Sequence, residues 1–290
     1  LYGDEHLSNR FTTEASITSI ASADLKAFHD MYYYPKNMTL AVSGSFVKAD
    51  MVKKLEAAFA EWPSPTRVVG LIPPGIKSAT PGIYRINKDV NQGRVSVGLP
   101  SVLRTSPDVY ALEIMNEILG GSGFTARITK TVRSNEGLAY SAGSGIGFGT
   151  YFPGRFRASF QSKSSTVAYA LQLVFEEIRK IRETPVTDEE LVTIKNNIIQ
   201  TFPSNFESKA QQAGTFAADE YTKRDPRFWT TYRDKIQAVT AADVLRVAKQ
   251  YLLLDKLAVV VVGDRATIEA PIRATNLGPV TVVPVADVMK

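Results

Sequence analysis

The sequence repeats itself across a constant offset of 219 residues. Residues 20–44, IASADLKAFHDMYYYPKNMTLAVSG, align without a gap with residues 239–263, VTAADVLRVAKQYLLLDKLAVVVVG. The offset pairs Asp24 with Asp243, Tyr32 with Tyr251 and Gly44 with Gly263. Agreement in pattern and polarity over this length indicates two copies of one structural unit, so any fold for this chain must accommodate a duplication.

Each copy predicts a helix, a short turn and a buried strand. In the first copy Leu25, Phe28 and Tyr32 recur at helical spacing. Asp24 lies in the expected first turn, where a carboxylate suits the positive end of the helix dipole. The apolar run that follows, ending in Gly44, is typical of an inner strand. The second copy predicts the same three elements.

The repeat also predicts the domain organisation. The second copy closes a unit that begins near Ile83, after the Pro/Gly-rich stretch 63–82. Shifting that start back by the offset places it before residue 1, so we expect the first copy to be truncated by about 140 residues. We therefore expect four parts: residues 1–66 as the C-terminal part of a first domain, 67–82 as linker, 83–264 as a second domain, and 265–290 as a tail.

The second domain mixes strands and helices in segregated runs. Strands are expected at IYRI and RVSVGL within 83–99 and at PGRFRASFQS, with helices at 107–119, before Arg133, at 165–183, after a Thr187–Glu190 capping box, and within 205–223. Ser106 is the expected N-cap of the first helix, Pro107 its first residue and Gly120–Gly121 its stop. This order predicts an α+β layer arrangement.

Composition excludes several classes of site. The chain has no cysteine, which removes disulfides, thiolate metal sites and cysteine nucleophiles. Its two histidines, His6 and His29, are too far apart in sequence for one helix turn to place both on a metal. The net charge of +5 comes from scattered lysines and arginines, so a solvated surface is favoured over nucleic-acid binding. No apolar run is long enough to span a bilayer.

Familiar motifs are incomplete. GGSGF at 120–124 lacks the lysine and hydroxyl of a phosphate loop, and GSGIGFG at 143–149 is not followed by a helix start, as a dinucleotide site requires. No G-x-S-x-G is present, and the carboxylates of TDEEL fit helix capping better than paired acid–base catalysis. On its residues alone the chain has no complete catalytic constellation.

The segment RSNEGLAYS (133–141), the helix ending in LGG and the repeated halves resemble the pitrilysin/insulinase family of zinc metallopeptidases, which includes the mitochondrial processing peptidases. The resemblance covers about residues 1–264. It implies duplicated two-layer domains, each a sheet covered by helices, of the processing-peptidase or LuxS-like metallohydrolase type. The part present here then corresponds to the C-terminal portion, with the metal-free second domain. Residues 265–290 resemble the extra C-terminal strand and loop of bacterial members.

The family's zinc motif, H-x-x-E-H, is absent from this chain. The corresponding helix, 107–119, has Glu113 and Glu117 but no histidine. The resemblance therefore implies no cofactor in this chain, with zinc in a missing domain or a partner subunit, so that this chain alone is inactive.

Arg133 and Tyr140, seven residues apart, match a pair in the family's second domains. On residues alone, a helix-capping arginine and a packed tyrosine form the simpler interpretation. The resemblance implies instead that both contact the substrate backbone near the scissile bond, where a guanidinium and a phenol can donate to a carbonyl oxygen. It also implies a glycine-rich loop at Gly120, Gly121 and Gly123, with a less defined role.

The leading hypothesis is the C-terminal portion of a zinc metallopeptidase that hydrolyses peptide bonds, in which this part binds the peptide substrate. The alternative is a noncatalytic subunit or scaffold member of the same family, and a third is a peptide-binding module without hydrolysis. Expected partners are a peptide and a homo- or hetero-dimeric zinc-bearing subunit, with no nucleic acid. Similar bacterial proteins suggest the periplasm.

Overall fold

A computed structural model describes residues 1–3, 5–65, 72 and 76–288. The chain divides into two units. We call Leu1–Phe11, Pro73–Ile199 and Arg233–Lys290 the sheet unit, and Thr12–Ile72 with Gln200–Tyr232 the helical unit. Half of the predicted linker at 67–82, namely residues 67–71 and 73–75, lies outside the described residues, and the three predicted boundaries between the four parts remain a prediction.

The sheet unit is built on one mixed sheet of six strands. Their order across the sheet is β3-β4-β2-β5-β1-β6, so β3 and β6 are its edges. β1 runs parallel to β5 and β6, whereas β2–β4, β2–β5 and β3–β4 are antiparallel pairs. The strands are β1 (Gly82–Asn87), β2 (Gln92–Pro100), β3 (Ala139–Ile146), β4 (Arg155–Lys163), β5 (Ala258–Gly263) and β6 (Val280–Val283).

Alternating side chains give this sheet one apolar face. Val95 lies opposite Phe160 and Val97 opposite Ala158, and all four are buried. The intervening residues of β4, and Gln92, Arg94 and Ser96 of β2, are polar and lie on the other face. The strands predicted at IYRI, RVSVGL and PGRFRASFQS are therefore confirmed, and alternation decides which side of the sheet receives the helices.

Helices cover the apolar face. The longest, α6, buries Leu171, Val174 and Ile178 along one side, as its predicted amphipathic pattern requires. The predicted α+β arrangement of a sheet with helices is confirmed. The helices that begin in this unit are α4 (Val109–Asn116), α5 (Arg127–Thr129), α6 (Val167–Glu183), α7 (Asp188–Thr201), α10 (Ala241–Tyr251), α11 (Arg265–Ala274) and α12 (Val285–Val288).

The helical unit contains α1 (Glu14–Thr18), α2 (Ser22–Tyr32), α3 (Lys48–Phe59), α8 (Lys209–Thr222) and the start of α9 (Phe228–Ala238). Aromatic rings concentrate around α9: Trp229 packs edge-on against Phe206 at 5.2 Å between ring centroids, and Phe202 stacks on Tyr232 at 5.4 Å. None of the described helices combines the length and apolar character needed to cross a membrane.

The two copies of the repeat have different outcomes. Both helices form as α2 and α10, and the paired aspartates cap them alike: Asp24 accepts the Ala21 N–H at 2.9 Å, and Asp243 accepts the Thr240 N–H at 3.0 Å. β5 forms as predicted and lies between two strands. The strand predicted to end at Gly44 is wrong, since residues 38–44 form no strand. A strand requires a neighbouring backbone, and none of the described strands pairs with this segment.

The first helix of the second domain also starts later than predicted. Asp108, not Ser106, is the N-cap, and Val109 rather than Pro107 begins the helix. The Ser106 hydroxyl instead accepts the N–H of Asp108 at 3.3 Å. The helix ends at the two predicted glycines, although its last segment, Glu117–Gly121, is a π-helix.

Asp108 connects α4 to α10. Its carboxylate accepts hydrogen bonds from the Arg246 guanidinium and the Tyr251 hydroxyl, both at 2.7 Å. The hydrogen bond from Arg246 is the main reason that the pKa of Asp108 lies below its ordinary value, with burial opposing it. The carboxylate therefore stabilises the fold above the ordinary pKa of an aspartate, and this contribution is lost as the pH falls through the lowered pKa.

We predict that Asp108→Asn lowers the free energy of unfolding by about 1–2 kcal/mol at pH 7, because one charged hydrogen-bonded network is lost. The difference from the wild type should shrink in acid, where both side chains are neutral. Urea unfolding at several pH values measures this, with Asp255→Asn, an exposed aspartate, as the matched control. A difference that does not depend on pH would contradict the assignment.

Candidate functional site

A helix end and a glycine turn set the spacing of Arg133 and Tyr140. Arg133 lies in a second π-helix, Lys130–Asn135, and Tyr140 is the second residue of β3. Between them Gly137 adopts a φ of +62°, which glycine accommodates without strain. The Leu138 N–H then donates to the Val132 carbonyl at 3.0 Å, which closes the helix end. The turn directs the chain back into the sheet beside the helix that it has just left.

This return brings Arg133 onto two aromatic rings. Its guanidinium carbon lies 4.5 Å from the centre of the Phe124 ring and 4.9 Å from that of Tyr140. We call Phe124, Arg133 and Tyr140 the arginine–aromatic cluster. The structure thus brings the two predicted residues together and adds Phe124, which was not among the residues predicted from the sequence. An exposed phenylalanine among glycines in GGSGF was the available signal.

The cluster presents hydrogen-bond donors to solvent. Cation–π contact uses the flat face of a guanidinium, contributes about 0.5–1 kcal/mol at an exposed site, and leaves the N–H groups in the plane free to donate. Among the described residues, none forms a hydrogen bond or ion pair with the Arg133 guanidinium or the Tyr140 hydroxyl. Tyr140 is 86% exposed and Phe124 68% exposed. The Arg133 guanidinium and the Tyr140 hydroxyl are therefore both available to donate to a carbonyl oxygen.

The three predicted loop glycines have different structural roles. Gly120 and Gly121 end the first π-helix and lie in no loop, which corrects the prediction for these two. A Cβ on Gly120 would lie 2.9 Å from the carbonyl carbon of Gly143, so only glycine permits this approach of helix to strand. A Cβ on Gly121 would lie 2.8 Å from the side-chain amide nitrogen of Asn116. Gly123 has a φ of +64° and open space around it.

Polar side chains hold β3 at this short distance. The Ser144 hydroxyl donates to the Asn116 side-chain oxygen at 2.9 Å, and the Thr129 hydroxyl donates to the Ala142 carbonyl at 2.7 Å. Thr129 and Asn116 are both buried. Burial beside them raises the pKa of Glu117, although a hydrogen bond from Asn116 acts in the opposite direction. The strand that carries Tyr140 is thus fixed to the helices behind it.

A polar groove of about 850 Å³ extends from Phe124. One wall is fixed by the Arg127 guanidinium, which donates two hydrogen bonds of 2.7 Å to the Glu190 carboxylate. The hydrogen bond from Arg127 is the main reason that the pKa of Glu190 lies below its ordinary value. At the base, buried Glu177 accepts hydrogen bonds from Thr131 at 3.1 Å and Lys180 at 2.8 Å. The groove is lined by these two ion pairs, by the charged residues Lys130 and Glu189, and by several hydroxyls.

A second concavity of about 430 Å³, which we call the glycine depression, follows β3 beyond Tyr140. Gly143 and Gly145 lie opposite Ser159 and Arg157 of β4. Its lining comprises Gly120, residues 141–147, Arg155, Arg157 and Ser159. The arginine–aromatic cluster therefore has a concavity adjoining Phe124 and another on the strand that carries Tyr140.

The donor set in the described residues does not fit zinc. Glu113 and Glu117, on the helix that the resemblance matched to a metal helix, have no histidine beside them in that segment. Nowhere in the described ranges do three His, Cys, Asp or Glu side chains converge as metal ligands. His6 belongs to the sheet unit and His29 to the helical unit. The described part of the chain therefore lacks the ligand set that a catalytic zinc ion needs.

Comparison with known proteins gives consistent matches. The family model described as the peptidase M16 inactive domain matches residues 19–198. An uncharacterized zinc protease of Streptomyces coelicolor is 26% identical over 204 residues, which cover 66% of this chain and 42% of the relative. A non-peptidase homolog of Helicobacter pylori is 25% identical over 180 residues, covering 61% of this chain and 41% of that protein. The chain thus spans about two fifths of these two relatives.

A solved structure agrees with these matches. The peptidase M16 inactive domain from Pseudomonas fluorescens superposes with a TM-score of 0.76 at 26% identity, over 91% of this chain and 63% of that one. The mixed sheet covered by helices is therefore the architecture of that inactive domain.

We predict that Gly120→Ala lowers the free energy of unfolding by about 2 kcal/mol, because a methyl group forces the π-helix away from β3. Gly143→Ala should have a similar effect, since its Cβ would lie 2.7 Å from the Gly120 carbonyl oxygen. Gly145→Ala, in the same strand with open space around it, is the control. Chemical denaturation measures all three, and equal stability of the Gly120 and Gly145 variants would contradict the close approach.

Proposed function

The chain belongs to the peptidase M16 family, through that family's inactive domain, and on this premise we propose that it supplies the substrate contacts of a zinc metallopeptidase whose metal is bound outside the described residues. The observation that carries the proposal is the arginine–aromatic cluster. A half-buried arginine, fixed by two exposed rings and free to donate, suits a ligand rich in carbonyl oxygens. An extended peptide is such a ligand.

The proposed role of the cluster follows from hydrogen-bond chemistry. The Arg133 guanidinium and the Tyr140 hydroxyl donate to a backbone carbonyl near the scissile bond and fix its position. As that bond is attacked, negative charge grows on the carbonyl oxygen, and oriented donors stabilise it more than they stabilise the ground state. Stacking on Phe124 keeps the guanidinium in place, so little side-chain entropy is lost when substrate binds.

The concavities next to the cluster suit the rest of a peptide. The polar groove adjoins Phe124 and offers hydroxyls for backbone and side-chain groups on one side of the scissile bond. The glycine depression continues along β3 from Tyr140 and would receive residues on the other side. Few bulky side chains line the depression, which favours unfolded or short peptides that adopt an extended conformation.

A noncatalytic role within the same family is the second candidate. The observations that favour it are the missing metal ligands among the described residues and the 25% identity to a protein described as a non-peptidase homolog. In that case the same surface binds a peptide segment of a partner without cleavage. The two candidates differ in turnover and agree on peptide binding.

We predict that Arg133→Ala weakens binding of an extended fluorescent peptide to this chain about tenfold, because one charged donor and two stacking contacts are lost. Tyr140→Phe should weaken peptide binding about threefold, since only the hydroxyl is lost. In the zinc-bearing protein or complex, the Arg133→Ala variant should also reduce kcat by about a hundredfold. Anisotropy titration and peptide cleavage give the two readouts.

The matched control is Arg179→Ala, an exposed arginine on α6. Arg133→Lys separates charge from geometry, because lysine keeps the charge but lacks the planar fork. It should behave more like the alanine variant than like the wild type. If Arg133→Ala and Arg179→Ala bind peptide equally well, the cluster is not the substrate contact and the proposal is wrong.

We also predict that this chain, purified and dialysed against micromolar zinc, retains less than about one zinc per ten chains, because metal sites need three or four converging ligands. Plasma emission spectrometry measures the ratio. Stoichiometric zinc would contradict the proposal that the metal is bound outside the described residues. Peptide binding without cleavage after a zinc-bearing partner is added would favour the noncatalytic candidate.

A further inference from the structure

The sheet has an exposed face with an unbalanced charge. The six strands contain no aspartate or glutamate, although the chain has 29 acidic residues. On the face opposite the helices, which we call the open sheet face, β2 and β4 place four exposed cations, namely Arg94, Arg155, Arg157 and Lys163. A strand face with four positive charges and no negative charge has a positive potential that neighbouring strand residues do not cancel.

These cations differ from several arginines elsewhere in the sheet unit. Arg127 pairs with Glu190, Arg246 with Asp108, and Arg273 with Glu269. Within the described part of the chain, none of the four cations of the open sheet face forms an ion pair. Their charges are therefore available to an incoming carboxylate.

Neutral groups orient two of the arginines. The Arg157 guanidinium donates to the Ser96 hydroxyl at 3.0 and 3.2 Å, and the Arg94 Nε donates to the Gln161 side-chain oxygen at 2.8 Å. A neutral acceptor holds a guanidinium in place without cancelling its charge. Both side chains are thus oriented before a ligand arrives, which lowers the entropic cost of binding.

The glycine depression provides a place for a side chain beside these charges. Gly143 and Gly145 contribute no side chains opposite Ser159 and Arg157, so the floor there is backbone. Arg155 and Arg157 form one side. Leu1 lies beside Gly98 at another part of the face and does not line the depression.

We propose that the open sheet face selects peptides rich in aspartate and glutamate, with an acidic side chain entering the glycine depression and its carboxylate bound by Arg157 and Arg155. This inference rests on the proposed function, since it names the class of peptide that the same surface binds. Continuity along β3 supports a peptide as the occupant: Tyr140 belongs to the arginine–aromatic cluster and the next residue, Ser141, lines the depression.

The test uses two labelled peptides that differ only in charge, one with four glutamates and one with glutamines in their places, titrated against this chain by anisotropy. We expect the acidic peptide to bind about tenfold more tightly at about 50 mM salt, and the preference to fall steeply at about 500 mM, as exposed charges are screened. Arg157→Gln should remove most of the preference. Arg179→Gln, with the same change in net charge, should leave it intact.

A second variant separates shape from charge. Gly145→Leu keeps every charge, and the open space at this position accepts a side chain that fills the depression. It should reduce the acidic preference as Arg157→Gln does. A preference that survives both variants, or that Arg179→Gln removes equally, overturns the proposal.

The remaining outcomes are also decisive. Equal binding of the two peptides overturns the inference and leaves the role of Arg133 standing, provided that Arg133→Ala still weakens both. An acidic preference that Arg157→Gln removes, while Arg133→Ala changes nothing, supports the inference and contradicts the proposed function. Tighter binding of a single-stranded oligonucleotide than of the acidic peptide identifies a general polyanion surface and overturns the proposal.

Discussion

The contact between Gly120 and Gly143 is the constraint on which the candidate site depends. Backbone meets backbone there without an intervening side chain, so the π-helix that ends at Gly121 lies directly against β3. The same strand carries Tyr140, and the same helix end leads into the short 3-10 helix, Gly123–Thr125, that carries Phe124. Because Arg133 lies between these two rings, the helix-to-strand distance decides whether its guanidinium can contact both.

Much of the fold could be predicted because its patterns are local. Alternation in β4 and the apolar stripe of α6 each specify both an element and its buried face. The strand predicted before Gly44 shows the limit of this reasoning. Its apolar run matches that of β5, yet β5 has neighbours on both sides and the first copy has none among the described residues. Strand formation depends on distant backbone, which no local pattern contains.

The site was predictable in part. Family resemblance paired Arg133 with Tyr140, and the structure places the Arg133 guanidinium against the Tyr140 ring. Phe124 was not predicted, because its position depends on the positive φ of Gly123 and on where a π-helix ends. Arg155 and Arg157 were not predicted as site residues, because only the register of the sheet shows that cations scattered along the chain lie on one face. Their proximity belongs to the pairing of strands rather than to the sequence of any one strand.

The strand order has a consequence for how the chain acquires its structure. β5, residues 258–263, lies between β1 and β2, which are complete by residue 100. During synthesis these two strands leave the ribosome long before the strand that separates them, and each has an unpaired edge meanwhile. Such non-local pairing slows folding and exposes the chain to misassembly. β1 and β2 contain Arg85 and Arg94 and no acidic residue, so we expect the like charge of these waiting edges to oppose edge-to-edge pairing of nascent copies.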